Sequence, residues 1–127
     1  MKLRILLITA LAAAIGALAL VPAVAATMYP SSITIARDPG GVGFHGNVTS
    51  QGPPACEQHR LVKLFRFKGG STSAQRVAAD RSDNGGFYDV LTSLHKGTYF
   101  TVAKRRVLRN RGDAVCQAAV SRTIRVG

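Results

Sequence analysis

The chain has 127 residues, with 17 Lys or Arg against six Asp or Glu and a formal net charge of +11; it contains two cysteines and no Trp. This length bounds the protein to one domain and excludes a multidomain architecture. The charge favours acidic partners, whether phospholipid head groups, anionic wall polymers, nucleic acid or acidic proteins, and does not choose among them.

The N-terminus has the three parts of a secretory signal: Lys2 and Arg4 as the charged end, an apolar run from Ile5 to about Leu20, and small residues at Ala23-Val24-Ala25. Residues 1–25 are therefore expected to be a signal peptide cut after Ala25. The apolar run of about 16 residues is short for a bilayer span, and Pro22 follows it. No cysteine follows the cut to carry a lipid. The expected product is residues 26–127, a single domain, secreted and either extracellular or associated with the cell envelope. Losing Lys2 and Arg4 leaves 15 basic residues against six acidic ones, a net charge of about +9.

The rest of the chain shows no amphipathic helical spacing. Short β-type runs recur, separated by Gly, Pro, Asn, Asp and Ser. A first strand is expected over residues 32–36, ended by Asp38-Pro39-Gly40-Gly41. Residues 42–50 alternate, with Val42, Phe44 and Val48 on one face and His45, Asn47 and Thr49 on the other. Residues 60–68 are apolar on both faces, Val62 and Leu64 on one and Leu61, Phe65 and Phe67 on the other, which predicts a central strand. Residues 73–79 and 87–91 are expected as partners across the turn Asp83-Asn84-Gly85-Gly86. A long strand should run from Leu94 to about Val107, followed by a basic hairpin loop and a last strand over 115–126. The expectation is all-β: a seven-stranded antiparallel β-sandwich. Tyr29 should be loose near the new terminus.

In an oxidising compartment Cys56 and Cys116 are expected to form one disulfide, closing a loop of about 60 residues and contributing about 4 kcal/mol. Cys56-x-x-His59 offers two metal ligands, but Cys116 has no neighbouring partner and His45 and His95 stand alone. Neither a metal nor another cofactor is expected.

The set Phe44-x-Gly46-x-Val48-x-Ser50, Cys56, Arg60-x-Val62-x-Leu64, Asp83 to Phe87, Gly97-x-Tyr99 and Cys116 to Ser121 resembles small secreted bacterial sandwich domains. These are the carboxypeptidase regulatory-like or transthyretin-like domains, with immunoglobulin and fibronectin folds as relatives in architecture. The resemblance implies a fold, no shared activity and no catalytic or binding residue. Leu94-x-x-Gly97-x-Tyr99 is also similar to the segment that forms a tyrosine corner, in which the phenol bonds backbone at a sheet edge.

Catalysis usually needs a nucleophile with a base, paired carboxylates or a metal. The six acids, Asp38, Glu57, Asp80, Asp83, Asp89 and Asp113, fall mostly in expected turns, where Asp bonds backbone. No elbow motif joins a serine to His45, His59 or His95. No enzyme is expected. Arg111-Gly112-Asp113 matches an adhesion tripeptide by letters only, and Asn47-Val48-Thr49 is a glycosylation acceptor only in a host that glycosylates.

The candidate functional element is Lys104-Arg105-Arg106-Val107-Leu108-Arg109-Asn110-Arg111, expected at the tip of the last hairpin. Lys104, Arg105, Arg106, Arg109 and Arg111 would offer phosphate or carboxylate groups a salt-sensitive anion site. The same run also reads as a solvated loop whose like charges discourage sheet edges from pairing. No aromatics are interleaved with these cations, so no specific nucleic-acid function is expected. The expected function is a secreted, non-catalytic binding or structural module on an anionic envelope polymer, with an inhibitor or effector of an unknown partner protein as the alternative.

Overall fold

The computed structural model describes residues 26–109 and 114–127. The signal-peptide reading of residues 1–25, and Arg111 and Asp113, lie outside the described residues. Within them the chain is all-β, with one 3-10 turn at Pro54–Cys56. The expected seven strands are instead twelve short ones in three sheets, because several expected strands are interrupted and continue along the same neighbour.

The smaller of the two main sheets is built on β4 (Gly43–Ser50). One edge of β4 is lined end to end by β2 (Ser31–Ile33) and β3 (Ala36–Arg37), and the other by β7 (Phe87–Leu91). The break between β2 and β3 has a local cause. The Thr34 hydroxyl accepts from the Asn47 N–H at 2.9 Å, a side chain doing a ladder's work. The Thr34 carbonyl lies over Gly46, where a Cβ would come within 2.0 Å of that oxygen. Gly46 is the residue that lets the edge strand cross there. Val42, expected on the core face, precedes β4 and is exposed.

The larger sheet has β5 (Leu61–Phe67) at its centre, between β6 (Ala74–Arg81) and β8 (Gly97–Ala103), as its two apolar faces predict. The far edge of β8 carries β11 (Ala119–Val120) and β12 (Ile124–Val126). The expected last strand is broken between them at Ser121, whose hydroxyl accepts from the Thr101 N–H at 2.8 Å and donates to the Arg122 carbonyl at 2.8 Å. A third small sheet joins β1 (Met28–Tyr29), β10 (Ala114–Cys116) and β9 (Arg106–Leu108). β1 runs parallel to β10, so the arrangement is not wholly antiparallel. Tyr29 is not loose: it is half-buried against the disulfide cluster.

The two main sheets face one another in a sandwich-like packing. Ile33, Phe44, Val48, Tyr88 and Val90 from one meet Val62, Leu64, Tyr99 and Ala103 from the other, with the Phe44 and Tyr99 ring centroids 4.9 Å apart. Each such large side chain, fully buried, stabilises the fold by about 2 kcal/mol. The Tyr99 hydroxyl donates to the His95 carbonyl at 2.8 Å and accepts from the His95 N–H at 3.0 Å, so the expected corner is formed. Cys56 and Cys116 are bonded, with Cα atoms 5.3 Å apart. The bridge ties the 3-10 turn ahead of β5 to β10, joining the third sheet to the body of the domain.

Candidate anion-binding surface

β8 does not run on to Val107 as expected. It ends at Ala103, and the chain crosses to the third sheet through Lys104 and Arg105. Arg60 fixes this crossing. Its side chain is buried, 1% exposed, and all its donors are satisfied without a carboxylate. Nε and Nη2 donate to the Lys104 carbonyl at 3.1 and 2.8 Å. Nη1 donates to the Cys56 carbonyl at 2.6 Å and the Ser31 hydroxyl at 3.0 Å, and Nη2 also donates to the Gln117 carbonyl at 2.9 Å. Burial, and secondarily the Arg106 guanidinium, hold its pKa below the ordinary arginine value. One side chain thus pins four separate segments at the end of the sandwich that carries the basic run.

The candidate residues are only partly brought together. Lys104, Arg105 and Arg106 line one shallow cleft of 290 Å³, and the fold adds His59, Leu61 and Arg81. Arg106 lies in β9 rather than in a hairpin tip, and its Nη1 donates to the Gln58 and Ala55 carbonyls at 2.8 and 3.2 Å. It is therefore partly committed to the Cys56 turn. Arg109 follows β9 and is exposed. Arg81 reaches the cleft because β6 pairs Arg81 with Leu61. Lys63 stands beside it: the Lys104 ammonium, and more weakly Arg76, hold the Lys63 ammonium below the usual lysine range.

These additions were invisible one segment at a time. Lys63, Arg76 and Arg81 belong to the candidate surface only because β5 and β6 pair antiparallel with the register shifted at Leu64/Phe65. The outward positions of β5 and β8 follow from their buried ones. Val62, Leu64, Tyr99, Thr101 and Ala103 point inward, so Lys63, Phe65, Phe67, Thr98, Phe100 and Val102 point out.

The acids lie elsewhere. Glu57 Oε1 accepts from the Ser50 N–H at 3.0 Å, and Asp83 Oδ1 accepts from the Gly85 and Phe87 N–H groups at 2.8 and 2.9 Å, as acids in turns are expected to do. Asp80, the one acid in the larger sheet, turns its Oδ2 to the Asp89 N–H of β7 at 3.1 Å. Asp38 contacts His45 Nδ1 at 2.5 Å on the outer face of the smaller sheet. Asp89 faces the same place. Hydrogen bonding to the Asp38 carboxyl, and then burial, raise its pKa above the ordinary carboxylate value. The outward positions of the larger sheet carry no acid. Among the described residues the outer faces are therefore polarised: Asp38 and Asp89 on the β4/β7 face, and cations without a carboxylate partner across the β5/β6 face and at the β8–β9 end.

No protein-family model, curated protein or solved structure matches the chain.

Proposed function

We infer that the chain is an exported, non-catalytic binding module that associates with anionic envelope polymer through its basic side. The observation that carries this reading is the separation of charge. Among the described residues, Lys104, Arg105, Arg106, Arg81 and Lys63 gather at one end and face with no acid at its outward positions, while Asp38 and Asp89 lie on the outer face of the other sheet. A one-signed face lowers the free energy of a polyanion over many weak contacts and needs no shaped pocket. The signal-like residues 1–25 and the disulfide support export, and the paired sheets and tyrosine corner support a sandwich of the carboxypeptidase regulatory-like or transthyretin-like kind.

The test is retention of the protein on isolated envelope from its own source across a salt series. The comparison is a variant with Lys104, Arg105, Arg106, Arg109 and Arg111 each changed to Ala. Salt is expected to release the wild type, and the variant should not be retained at low salt. Equal retention of both would remove the reading.

One observation favours a second reading, an inhibitor or effector of a partner protein. Asp38, Pro39, Val42, His45, Phe87, Asp89 and Leu91 line an open groove of 520 Å³, and Val42, Phe87 and Leu91 are 57%, 43% and 67% exposed there. An apolar groove of this kind suits a protein surface better than a polyanion. That reading predicts a complex that survives moderate salt and is lost on Leu91→Ser.

A further inference from the structure

The cations of the larger sheet surround an apolar strip. On its outward face Phe65 and Phe100 sit opposite one another with ring centroids 5.4 Å apart and planes 12° apart, and Phe67 lies 5.3 Å from Phe100. Val102 pairs with Val120, which is 66% exposed, and the residue at the register shift, Val77, is 38% exposed. Lys63, Arg76 and Arg81 flank the strip on one side, Arg125 opposite Thr98 on the other, and Lys104 and Arg105 at the end. A continuous apolar patch rimmed by charge of one sign is an unusual thing for a small soluble domain to leave uncovered.

We propose that this face docks on an anionic lipid bilayer, with Phe65, Phe67, Phe100 and Val120 at the boundary between head groups and acyl chains and the flanking cations on the head groups. The inference rests on the proposed function for its compartment and adds a lipid surface to the anionic material that the basic side meets there. Three features favour lipid over the other polyanions. A soluble polymer would use the cations and leave the apolar strip idle. A nucleic-acid base stacks on a free ring face, whereas Phe100 has Phe65 and Phe67 against it. A bilayer interface uses both components together, the apolar surface by burial and the cations by attraction to anionic head groups. The outer surface of a sheet also presents its side chains in one layer, so they reach a planar boundary at one depth.

The native chain has no Trp, so a single introduced one reports depth. Val120→Trp places it in the strip, and Leu91→Trp places it at an exposed position of β7, on the smaller sheet, as the control. Both oxidised proteins are mixed with phosphatidylcholine vesicles with and without phosphatidylglycerol, and with a single-stranded oligonucleotide. The proposal predicts that phosphatidylglycerol vesicles shift the emission of the Val120→Trp protein to the blue and shield it from acrylamide, leaving the Leu91→Trp protein unchanged. The pair Phe67→Ser and Val120→Ser, checked for an unchanged fold by circular dichroism, should lower vesicle affinity about tenfold. Its retention on lipid-extracted envelope should be unaltered.

A Val120→Trp signal that does not respond to vesicles overturns the inference, as does a serine pair that binds them as the wild type does, or a response to the oligonucleotide alone. If vesicle binding fails while salt-sensitive retention on lipid-extracted envelope persists, the lipid inference falls and the polymer reading stands. If both fail, both fall.

Discussion

Arg60 takes five N–H donors into a site where carbonyl and hydroxyl oxygens, not a carboxylate, receive them. Removing it takes the donor from the buried Cys56 carbonyl and from the part-buried Lys104 and Gln117 carbonyls, at about 1–3 kcal/mol for each group left unsatisfied. Arg60→Ala is therefore expected to lower unfolding free energy by at least about 3 kcal/mol in a urea titration, and Arg60→Lys to recover only a minor part, because an ammonium cannot reproduce the planar fork. A loss under about 1 kcal/mol would mean that the four segments hold together without it. Its importance was hidden in the sequence, where Arg60 reads as the polar first residue of a strand. Nothing local in the chain marks which of its 17 cations is interior.

Tyr88 sets an alkaline limit. Its hydroxyl donates to the Thr34 carbonyl and shares a hydrogen bond with Thr101 at 3.0 Å, and burial raises its pKa from 10.0 to about 12. With the folded value above the unfolded one, the neutral phenol's contribution is complete below pH 10 and is lost as pH rises through about 12. Stability measured by denaturant should fall across that window in the wild type. In Tyr88→Phe, lower throughout, that fall should be smaller; an identical pH dependence in the two proteins would contradict the assignment.

At the scale of elements, β5 illustrates what pattern alone conveys. Apolar residues on both faces predicted a central strand, and β5 is paired on both sides. The pattern could not distinguish a face covered by another sheet from a face left to solvent. Val62 and Leu64 are buried in the core, while Phe65 and Phe67 are only half-buried on the outside. The broken strands were illegible for a related reason. Thr34 and Ser121 interrupt their ladders with side-chain hydroxyls, and Lys104 marks a change of sheet enforced by Arg60, all of them tertiary contacts that strand periodicity does not encode.

The third sheet depends most on the disulfide. β10 is three residues long and is held by β9, the two-residue β1 and the bridge from Cys116 to Cys56. With the cysteines 60 positions apart, the paired substitution Cys56→Ser and Cys116→Ser should lower unfolding free energy by about 4 kcal/mol. Amide exchange in β1 and β10 should accelerate more than in β5. Uniform acceleration across the domain would show that these strands do not unfold as a separate unit.

At the scale of the whole molecule, composition announced a basic protein but not that the charge is segregated. Three cations of the run Lys104 to Arg111 share a cleft; the other cations of the basic face come from the β5–β6 hairpin and from β12, which is far from that hairpin in the chain. Segregated charge predicts steep salt dependence, because exposed cations act within a Debye length of about 8 Å at physiological ionic strength. Lys63→Glu with Arg76→Glu should weaken envelope retention at low salt at least as much as the loss of Arg109 and Arg111 does. The single reversal Arg37→Glu, on the smaller sheet, should weaken it much less than Lys63→Glu alone does.

Comparing amide exchange, residue by residue, in the free protein and in the protein bound to its own envelope material at low salt decides whether the basic side is the working face. Protection is predicted along β6, at the β8–β9 crossing and at β11 and β12, with β4 and β7 unchanged. Protection centred on β7 and the Asp38–Leu91 groove, with the crossing unaffected, would contradict the claim and make that groove the functional site.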